Sequence, residues 1–386
     1  MKPFSSSFPP APLNKTWKIW VLAPQLLNED PNLEYYYDFT QSIEEYTRVF
    51  YTLQLNWQWQ PITQDNFENK LSEILKEAIY KNEIPVFLNL CDGDEINGTP
   101  GISVVNWLTE RHCIYSGADA YFYHITTSKI PMKEAFDRAG VATPPWKIIR
   151  NADYDTSALF AELGSRIILK PAISGGSMGV GVKNVVSSPE EASEQIKNMF
   201  KGYRGWNLAA DGIIAEAFIA GPEFTTLISG SASTTHPCKV YIPVERVFHN
   251  SLSEQEKFLS FDRLWEIYEE ESPMPESGDF YKYATPHSEL IKAIQQISLL
   301  AYEAVNGKGY TRADIRMDAS TGKFYVLEVN AQCGLSEDEN YTSIGAILRI
   351  NETSFAQLIE EVLLDALERY KETFINQSAI AYSNEL

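Results

Sequence analysis

Two segments of the sequence carry residues whose types and spacing could handle a nucleotide. In the first, residues 167–186, an apolar run ends in Lys170 and is followed by a glycine-rich loop, residues 174–181. Glycine lets a backbone approach a ligand closely, and successive backbone N–H groups in such a turn form a concave anion site. A lysine at its edge adds a point charge for phosphate. The segment therefore predicts a strand–loop–strand hairpin that covers phosphate groups.

Two commoner glycine motifs do not fit this loop. A dinucleotide fingerprint needs G-x-G-x-x-G before a helix, and a Walker loop needs G-x-x-x-x-G-K-[ST] before a helix. The order here is Gly176-x-x-Gly179-x-Gly181, and the β-branched run that follows, residues 180–186, predicts a strand. A nicotinamide-dependent oxidoreductase is disfavoured for the same reason. A surface hairpin without a ligand remains the alternative for this segment alone.

The second segment, residues 309–330, predicts two strands joined by a turn at residues 318–323. Alternation places Arg312, Asp314 and Arg316 on one face of the first strand. Glu328 and Asn330 share a face of the returning strand.

A pairing of Asp318 with Phe324 would put Asp314 opposite Glu328, with Cβ atoms about 4.5–5.5 Å apart. Two carboxylates this close repel unless a cation lies between them. Mg²⁺ takes one or two carboxylates together with phosphate oxygens, and Asn330 could add an amide oxygen. The alternative is that Arg312 and Arg316 pair with these acids on a solvated face.

Composition limits the class of protein and its partners. The chain has 386 residues and a formal net charge of −20, which argues against nucleic acid and anionic membrane surfaces as partners. Its four cysteines form no C-x-x-C pair, as expected for free thiols in a reducing compartment. Neither a signal peptide nor an apolar run of membrane-spanning length is seen. We therefore expect a cytoplasmic protein.

Several elements must position these residues. Alternating strands and helices over the first third predict a parallel α/β sheet, with strands at 17–23 and 85–90 and a helix at 66–80. Further predicted elements are helices at 128–139, 288–306 and 354–370 and strands at 212–218 and 223–229. An acid- and aromatic-rich insert, residues 248–283 (the insert below), predicts a lid or a disordered segment, with a short helix at 259–270.

With both segments in view, residues 85 to about 350 resemble the ATP-grasp superfamily, in its D-alanine–D-alanine ligase-like branch. The resemblance rests on LKPAISGGSMGVG, IIAEAFIAGPEFT and RADIRMD…FYVLEVN, in the family's order. It implies an α/β (α+β) ATP-grasp fold: a Rossmann-like α/β domain (1–125) and two subdomains that grip ATP between mostly antiparallel sheets. These would be a small subdomain with the glycine loop (126–211) and a large one with the acidic lid insert (212–386).

The resemblance also implies a role for individual residues. Arg312 and the amide of Gly334 would stabilise an oxyanion, and Glu223 would hold the ribose. The glycine loop would cover the phosphates with Gly176, Ser177 and Met178 beside Lys129 and Lys170. Glu216 would accept from the adenine amino group, with the backbone of Ala217, Phe218 and Ile219 along the ring edge. Asp314, Glu328 and Asn330 would bind Mg²⁺ or Mn²⁺.

The activity that follows is that of an Mg-ATP-dependent carboxylate–amine ligase. A carboxylate would be activated as an acyl phosphate and attacked by an amine, releasing ADP and phosphate. A non-catalytic ATP-binding regulator is the alternative from another class; it should have lost a metal or oxyanion residue, and none is missing. Related enzymes are often homodimers, so by analogy we also expect a homodimer.

Departures from the family pattern concern the substrates. Gly176 replaces a serine, Cys333 replaces the proline before the oxyanion glycine, and Glu339 stands where a serine for the second substrate's carboxylate is expected. The glutamate expected in the first βα turn has only Glu29 and Glu34 as candidates. These departures favour an amino-acid ligase of specialised metabolism, such as a mycosporine-type ligase, over a cell-wall D-alanine–D-alanine ligase.

Overall fold

The computed structural model describes residues 6–12, 15–26, 38–96, 98–232, 237–269, 271–274, 278–340 and 342–383, with side chains up to residue 372. Both candidates in the first βα turn, Glu29 and Glu34, lie outside the described residues. No helix in the described part of the chain combines the length and the apolar character needed to cross a bilayer.

The N-terminal third forms a parallel α/β sheet, as predicted. Its four strands lie in the order β2-β1-β3-β4, and β1 pairs in parallel with both β2 and β3. Strands buried on both faces are expected to be almost continuously apolar, and β1 (TWKIWVLAP) is buried over its last six residues. The elements are β1 (Thr16–Pro24), α1 (Thr40–Leu53), β2 (Asn56–Ile62), α2 (Phe67–Lys81), β3 (Glu83–Asn89), α3 (Ile102–Glu110), β4 (Ile114–Tyr115) and α4 (Ala120–Thr127).

A second, antiparallel sheet follows and carries the glycine loop. Its strand order is β5-β8-β6-β7, and helices α6 and α7 pack on it over one apolar cluster. The elements are α5 (Lys129–Ala139), β5 (Trp146–Ile149), α6 (Leu159–Leu163), β6 (Ile167–Pro171), β7 (Val185–Val186), α7 (Pro189–Phe200) and β8 (Ile213–Ala217).

The strand predicted after the glycine loop is mostly wrong. Residues Val182–Asn184 form a short 3₁₀ helix, and only β7 pairs with β6. The buried Asn184 side chain accounts for the difference: its Nδ2 donates to the carbonyls of Leu169 and Gly179, and its Oδ1 accepts from the Gly181 amide. Such side-chain bonds to nearby backbone compete with a β-ladder.

The third sheet has six strands and forms the floor of the site. Its order is β12-β11-β9-β13-β14, with β10 paired to β9. Helix α9 packs on one face of this sheet. The elements are β9 (Glu223–Ser229), β10 (Lys239–Val240), β11 (Val244–Phe248), α8 (Phe261–Leu264), β12 (Tyr281–Ala284), α9 (Ser288–Ala304), β13 (Tyr310–Met317), β14 (Phe324–Ala331), α10 (Ser343–Ile350) and α11 (Phe355–Ser383).

Strand pairing bears on the predicted domain limits, which remain a prediction. The boundary at 211/212 would assign β8 to the large subdomain, yet β8 pairs with β5 and β6 of the second sheet. The chain changes sheet between Ala217 and Glu223. The pairing therefore favours a boundary a few residues later than the predicted one.

Candidate active site

A single cavity of about 900 Å³ lies where the three sheets meet. This is large for a small-molecule site, since such sites usually measure about 300–1,000 Å³, and it could hold a nucleotide and substrates together. Of the residues predicted to bind the nucleotide or the metal or to stabilise the oxyanion, all of which the structure describes, every one except Met178 lines this cavity: Lys129, Lys170, Gly176, Ser177, Glu216, Ala217, Phe218, Ile219, Glu223, Arg312, Asp314, Glu328, Asn330 and Gly334.

The floor of the cavity places Asp314 on β13 directly opposite Glu328 on β14. Asp314 is 7% exposed; one of its oxygens accepts from Thr225 at 2.8 Å and the other from Asn330 at 3.1 Å. Two carboxylates and an amide suit a hard cation whose remaining ligands come from phosphate oxygens and water. The residues present therefore fit the Mg²⁺ that the sequence predicts.

The alternative that Arg312 and Arg316 pair with the acids of this hairpin on a solvated face is correct in part. Arg312 pairs with Asp314 at 3.1 Å. Arg316, in contrast, pairs with Glu223 at 3.3 Å, and neither arginine lies on a solvated face. Arg312 thus stands beside the predicted metal ligands, and Gly334 lines the same cavity.

Lys129 connects the glycine loop with the carboxylate hairpin. It begins α5, next to the N-cap residue Ser128. Its Nζ lies 3.5 Å from Glu328 Oε2 and 3.3 Å from both the carbonyl oxygen and the Oγ of Ser174. One ammonium group therefore contacts both halves of the predicted nucleotide site, which the sequence separates by about 150 residues.

Glu216 is buried between two lysines. Lys133 Nζ lies 2.6 Å from one oxygen and Lys170 Nζ 2.7 Å from the other. Burial opposes the charge of Glu216, but the two ammonium groups outweigh it and lower its pKa to about 2. If Glu216 accepts a hydrogen bond from the adenine amino group, the oxygen involved would also keep its contact with a lysine. The adenine-binding role of Glu216 stays a prediction. Sequence reasoning missed Lys133, a fully buried lysine on α5 with no motif around it.

The glycine loop turns through left-handed backbone conformations. Gly176 has φ of +54° and Ser177 has φ of +62°. Met178 does not line the cavity: its side chain packs beside Trp206 and Leu208, and its amide donates to the Gly175 carbonyl within the turn. The prediction that Met178 binds the nucleotide is therefore not supported, because both its side chain and its N–H are occupied elsewhere.

The insert folds over the glycine loop. Trp265 Nε1 donates to the Gly176 carbonyl at 2.9 Å, and the Phe261 amide donates to the Val180 carbonyl at 2.8 Å. Glu271 accepts from the amide of Val182 at 2.8 Å. Among the described residues of the insert only α8 is an α-helix, so the helix predicted at 259–270 is shorter than expected. The role of the insert as a lid stays a prediction.

The Cys333 thiol is buried, and this burial raises its pKa to about 12. A thiol in this state is protonated and a poor nucleophile. Cys333 therefore packs in the interior and does not serve as a nucleophile.

The comparisons with known proteins agree with this geometry. The sequence model of the family described as "D-ala D-ala ligase C-terminus" matches residues 135–364, which is more than half of the chain. The chain belongs to this family. Solved structures share its fold: the D-alanine–D-alanine ligase from Bacillus anthracis complexed with ATP has a TM-score of 0.62 at 17% identity, with 92% of this chain and 99% of that chain covered. The ligase from Coxiella burnetii gives 0.63 at 16%, covering 96% and 100%. The predicted ATP-grasp fold is therefore confirmed.

Sequence relatives give the same family. The D-alanine–D-alanine ligase of Polaromonas sp. is 26% identical over 254 residues, which span 64% of this chain and 66% of that protein. The D-alanine–D-alanine ligase of Ectopseudomonas mendocina is also 26% identical over 254 residues, spanning 66% and 70%. The chain thus matches about two thirds of the length of these ligases.

Within this family, the structure corrects the predicted substrate position at Glu339. Glu339 is not among the cavity residues; it pairs with Arg349 at 2.7 Å, and both side chains are largely exposed. Ser343, four residues later, does line the cavity. It begins α10, is 2% exposed, and its Oγ has no hydrogen-bond partner among the described residues. The sequence position examined for a serine thus holds an exposed acid, whereas a serine nine residues after Gly334 reaches the cavity.

The N-terminal domain of this family member contributes two carboxylates that sequence reasoning did not select. Asp92 and Asp94 lie in the loop after β3 and line the cavity. The loop is fixed because Tyr123 Oη donates to the carbonyls of Gly93 at 2.7 Å and Cys91 at 3.3 Å. The Asp92 side chain is exposed to the open cavity. Desolvation by the cavity walls, with a further contribution from the charge of Asp94, raises its pKa to about 6. In open α/β sheets, ligands bind at the carboxyl ends of the strands, and an acidic loop there was the available signal.

Proposed function

We propose that this protein is an Mg-ATP-dependent carboxylate–amine ligase that forms an amide bond through an acyl phosphate and releases ADP and phosphate. The observation that carries the proposal is the contact of Lys129 with both Ser174 of the glycine loop and Glu328 of the acid pair. It supports a single nucleotide site in which a phosphate loop and a metal-binding pair face each other.

The chain's own residues would act as follows. Phosphoryl transfer to a carboxylate depends on positioning and on charge neutralisation. Lys129 and Lys170 would hold phosphate oxygens, and Asp314, Glu328 and Asn330 would hold the metal ion. When bound, Mg²⁺ would supply charge neutralisation between the phosphates.

The second half of the reaction would depend on Arg312 and Gly334. As an amine attacks the activated carbonyl, negative charge develops on the carbonyl oxygen. Donors aimed at that oxygen stabilise it more strongly than they stabilise the ground state. The Arg312 guanidinium, held by Asp314, and the Gly334 amide would serve as these donors.

Two groups of cavity residues that lie outside the predicted nucleotide site, Ser343 and the pair Asp92 and Asp94, favour amino-acid substrates. Ser343 at the N-terminus of α10 offers an unpaired hydroxyl and a helix end suited to a carboxylate. Asp92 and Asp94 favour an ammonium group on the other substrate. Both features fit the joining of an amino acid to a small, amine-bearing carboxylate, as in a mycosporine-type ligase of specialised metabolism.

D-alanine–D-alanine ligation is the second candidate function, since the relatives carry that name. Gly176 and Cys333 distinguish this chain from the family pattern that the sequence resembles. A non-catalytic regulator is disfavoured because the metal and oxyanion residues all line one cavity. A cytoplasmic location and a homodimer remain part of the proposal.

A phosphate-release screen tests the function. Purified protein with Mg-ATP would be offered pairs of amino acids and small carboxylates, D-alanine alone included, and product masses would be recorded. ADP release coupled to an amide product supports the ligase, and the identity of the pair decides between the two substrate readings. Glu328→Gln protein serves as the control for contaminating ATPase. The absence of any coupled product, with D-alanine or any other pair, would count against the ligase.

A further inference from the structure

Arg316 joins three separate parts of the nucleotide end of the cavity. It lies on β13, two residues beyond Asp314. Its Nη2 lies 3.3 Å from Glu223 Oε2 on β9, and its Nη1 donates to the Ile219 carbonyl at 3.2 Å, in the linker that follows β8. Nη2 also donates to the carbonyl oxygen of Lys257, which belongs to the insert. One guanidinium therefore holds an acid, a linker and the insert.

This arginine occupies an environment that disfavours its charge. Arg316 is 4% exposed, and its Nε has no hydrogen-bond partner within the described part of the chain. Burial lowers its pKa from the usual arginine value. Its guanidinium also lies 5.4 Å from the centre of the Phe218 ring. Since burying a charge costs free energy that an apolar residue would not, the three contacts of Arg316 need an explanation beyond packing.

A neighbouring arginine supplies a natural comparison. Arg246, on β11, contacts the other oxygen of Glu223, so the carboxylate is gripped from both sides. Arg246 lies beside the rings of Tyr281 and Tyr283 and lines the same cavity. Its hydrogen bonds and ion pairs do not include Ile219 or Lys257. Two buried arginines thus hold Glu223. Arg246 also contacts Tyr281 and Tyr283 at the end of the insert, whereas of the pair only Arg316 bonds to the Ile219 and Lys257 carbonyls.

We propose that Arg316 is a positioning residue that couples nucleotide binding to closure of the insert. It fixes Glu223 and the Ile219 backbone in one arrangement, and through Lys257 it holds the insert over the nucleotide in that same arrangement. Each Glu223 oxygen keeps lone pairs for a ribose hydroxyl. The inference rests on the proposed function in taking ATP as the nucleotide.

The coupling can be tested without turnover. Trypsin can cleave within the insert after Lys257 and Arg263, and a non-hydrolysable ATP analogue with Mg²⁺ should protect these bonds in the wild type. Arg316→Met keeps an unbranched side chain in the buried position but loses the contacts to Glu223, Ile219 and Lys257. We expect it to bind the analogue at least tenfold more weakly and to show no protection of the insert even at saturating analogue.

Arg246→Met is the matched control. It removes one contact to Glu223 and the contacts to Tyr281 and Tyr283, but leaves the bonds of Arg316 to Ile219 and Lys257 in place. Binding should therefore weaken, while protection after Lys257 and Arg263 at saturation persists. Arg316→Lys retains a charge that can satisfy only part of the three-way contact, and it should give intermediate protection; it also tests the idea if the methionine variant does not fold. Thermal unfolding separates loss of coupling from loss of structure.

The experiment distinguishes failure of the proposed function from failure of the coupling role. If the wild type does not bind the ATP analogue, the proposed function fails. If the wild type binds and is protected, but both Arg316 variants fold and are protected to the same extent at saturation, the coupling role is wrong and the proposed function stands.

Discussion

Asp314 lies opposite Glu328 because the β13–β14 pair contains a β-bulge. From the turn, Met317 pairs with Phe324 and Ile315 pairs with Val326. The register then shifts past Leu327, so that Glu328 faces Asp314. Without the shift, Leu327 would stand opposite Asp314 and the two acids would not meet. Bulges of this kind re-aim side chains next to functional sites.

The acid pair predicts the effect of Glu328→Gln. This change keeps the size of the side chain and removes its charge, so the metal site loses one of two carboxylates. We expect ADP release to fall by roughly 100-fold or more, beyond the 10–100-fold typical of residues that only support a metal ligand. Glu339→Gln, a change at an exposed acid paired with Arg349, is the control and should retain activity. Near-normal turnover by Glu328→Gln would contradict the metal role.

Arg312 should matter for the rate of ligation. Arg312→Ala removes the proposed oxyanion donor, while Asp314 keeps its contacts to Thr225 and Asn330. We expect the ligation rate to fall by roughly 10²–10³-fold, as for other oxyanion donors, with ATP binding changed by less than about threefold. Single-turnover kinetics and analogue titration measure the two separately. A loss confined to ATP affinity would show that Arg312 serves the nucleotide.

Asp92 predicts a pH dependence of substrate binding. Because burial raises its pKa to about 6, Asp92 is charged above that pH and becomes neutral as the pH falls through it. If Asp92 attracts an ammonium group, the KM of that substrate should rise as the pH falls below about 6, with the KM of ATP less affected. Asp92→Asn should have a raised KM that varies little over the same range. A variant with an unchanged pH profile would rule Asp92 out as the titrating group.

Glu216 is expected to stabilise the fold. Glu216→Gln would leave Lys133 and Lys170 without their shared anion, and breaking a buried pair of this kind costs about 3–5 kcal/mol. The folded-state pKa of Glu216, about 2, lies below the ordinary value of 4.5. Its stabilising effect is therefore fully present above pH 4.5 and is lost as the pH falls towards 2.

Chemical denaturation at several pH values measures this effect. The free-energy difference between wild type and Glu216→Gln should be largest above pH 4.5 and should shrink at lower pH. Glu134→Gln, at an exposed position on the same helix as Lys133, is the control. A pH-independent difference would show that packing, rather than charge, accounts for the effect.

Gly176→Ser should not by itself create D-alanine–D-alanine synthesis. Gly176 has φ of +54°, and a Cβ there would lie 3.2 Å from Cζ2 of Trp265. A serine would therefore strain the loop and press against the insert. We expect weaker binding of the ATP analogue and no D-alanyl-D-alanine product by mass spectrometry. Gly175→Ser, where a Cβ meets open space, is the control. A dipeptide product from Gly176→Ser would show that one residue sets the substrate.

Local sequence pattern was enough to identify the nucleotide-binding parts. The glycine loop, the acids of β13 and β14 and the alternating strands of the N-terminal domain all carry signals within short windows. Alternation and turn chemistry act between near neighbours, and the structure agrees with them at Lys170, Asp314 and Glu328. The prediction that Asp314 faces Glu328 assumed that Phe324 pairs with Asp318, whereas Phe324 pairs with Met317. The β-bulge shifts the register by one residue and so restores the predicted pair.

The tertiary structure decided which distant groups come together in and around the cavity. Lys133 beside Glu216, Arg316 beside Lys257, and Ser343 and Asp92 at the substrate end have no local signature, because each is positioned by contacts between segments far apart in the chain. The same reason explains why Met178 and Glu339 do not line the cavity although they stand at motif positions. A motif position does not show the direction in which packing orients a side chain. Residue type and spacing thus determined the chemistry available to this protein, whereas the packing of three sheets determined which groups carry it out together.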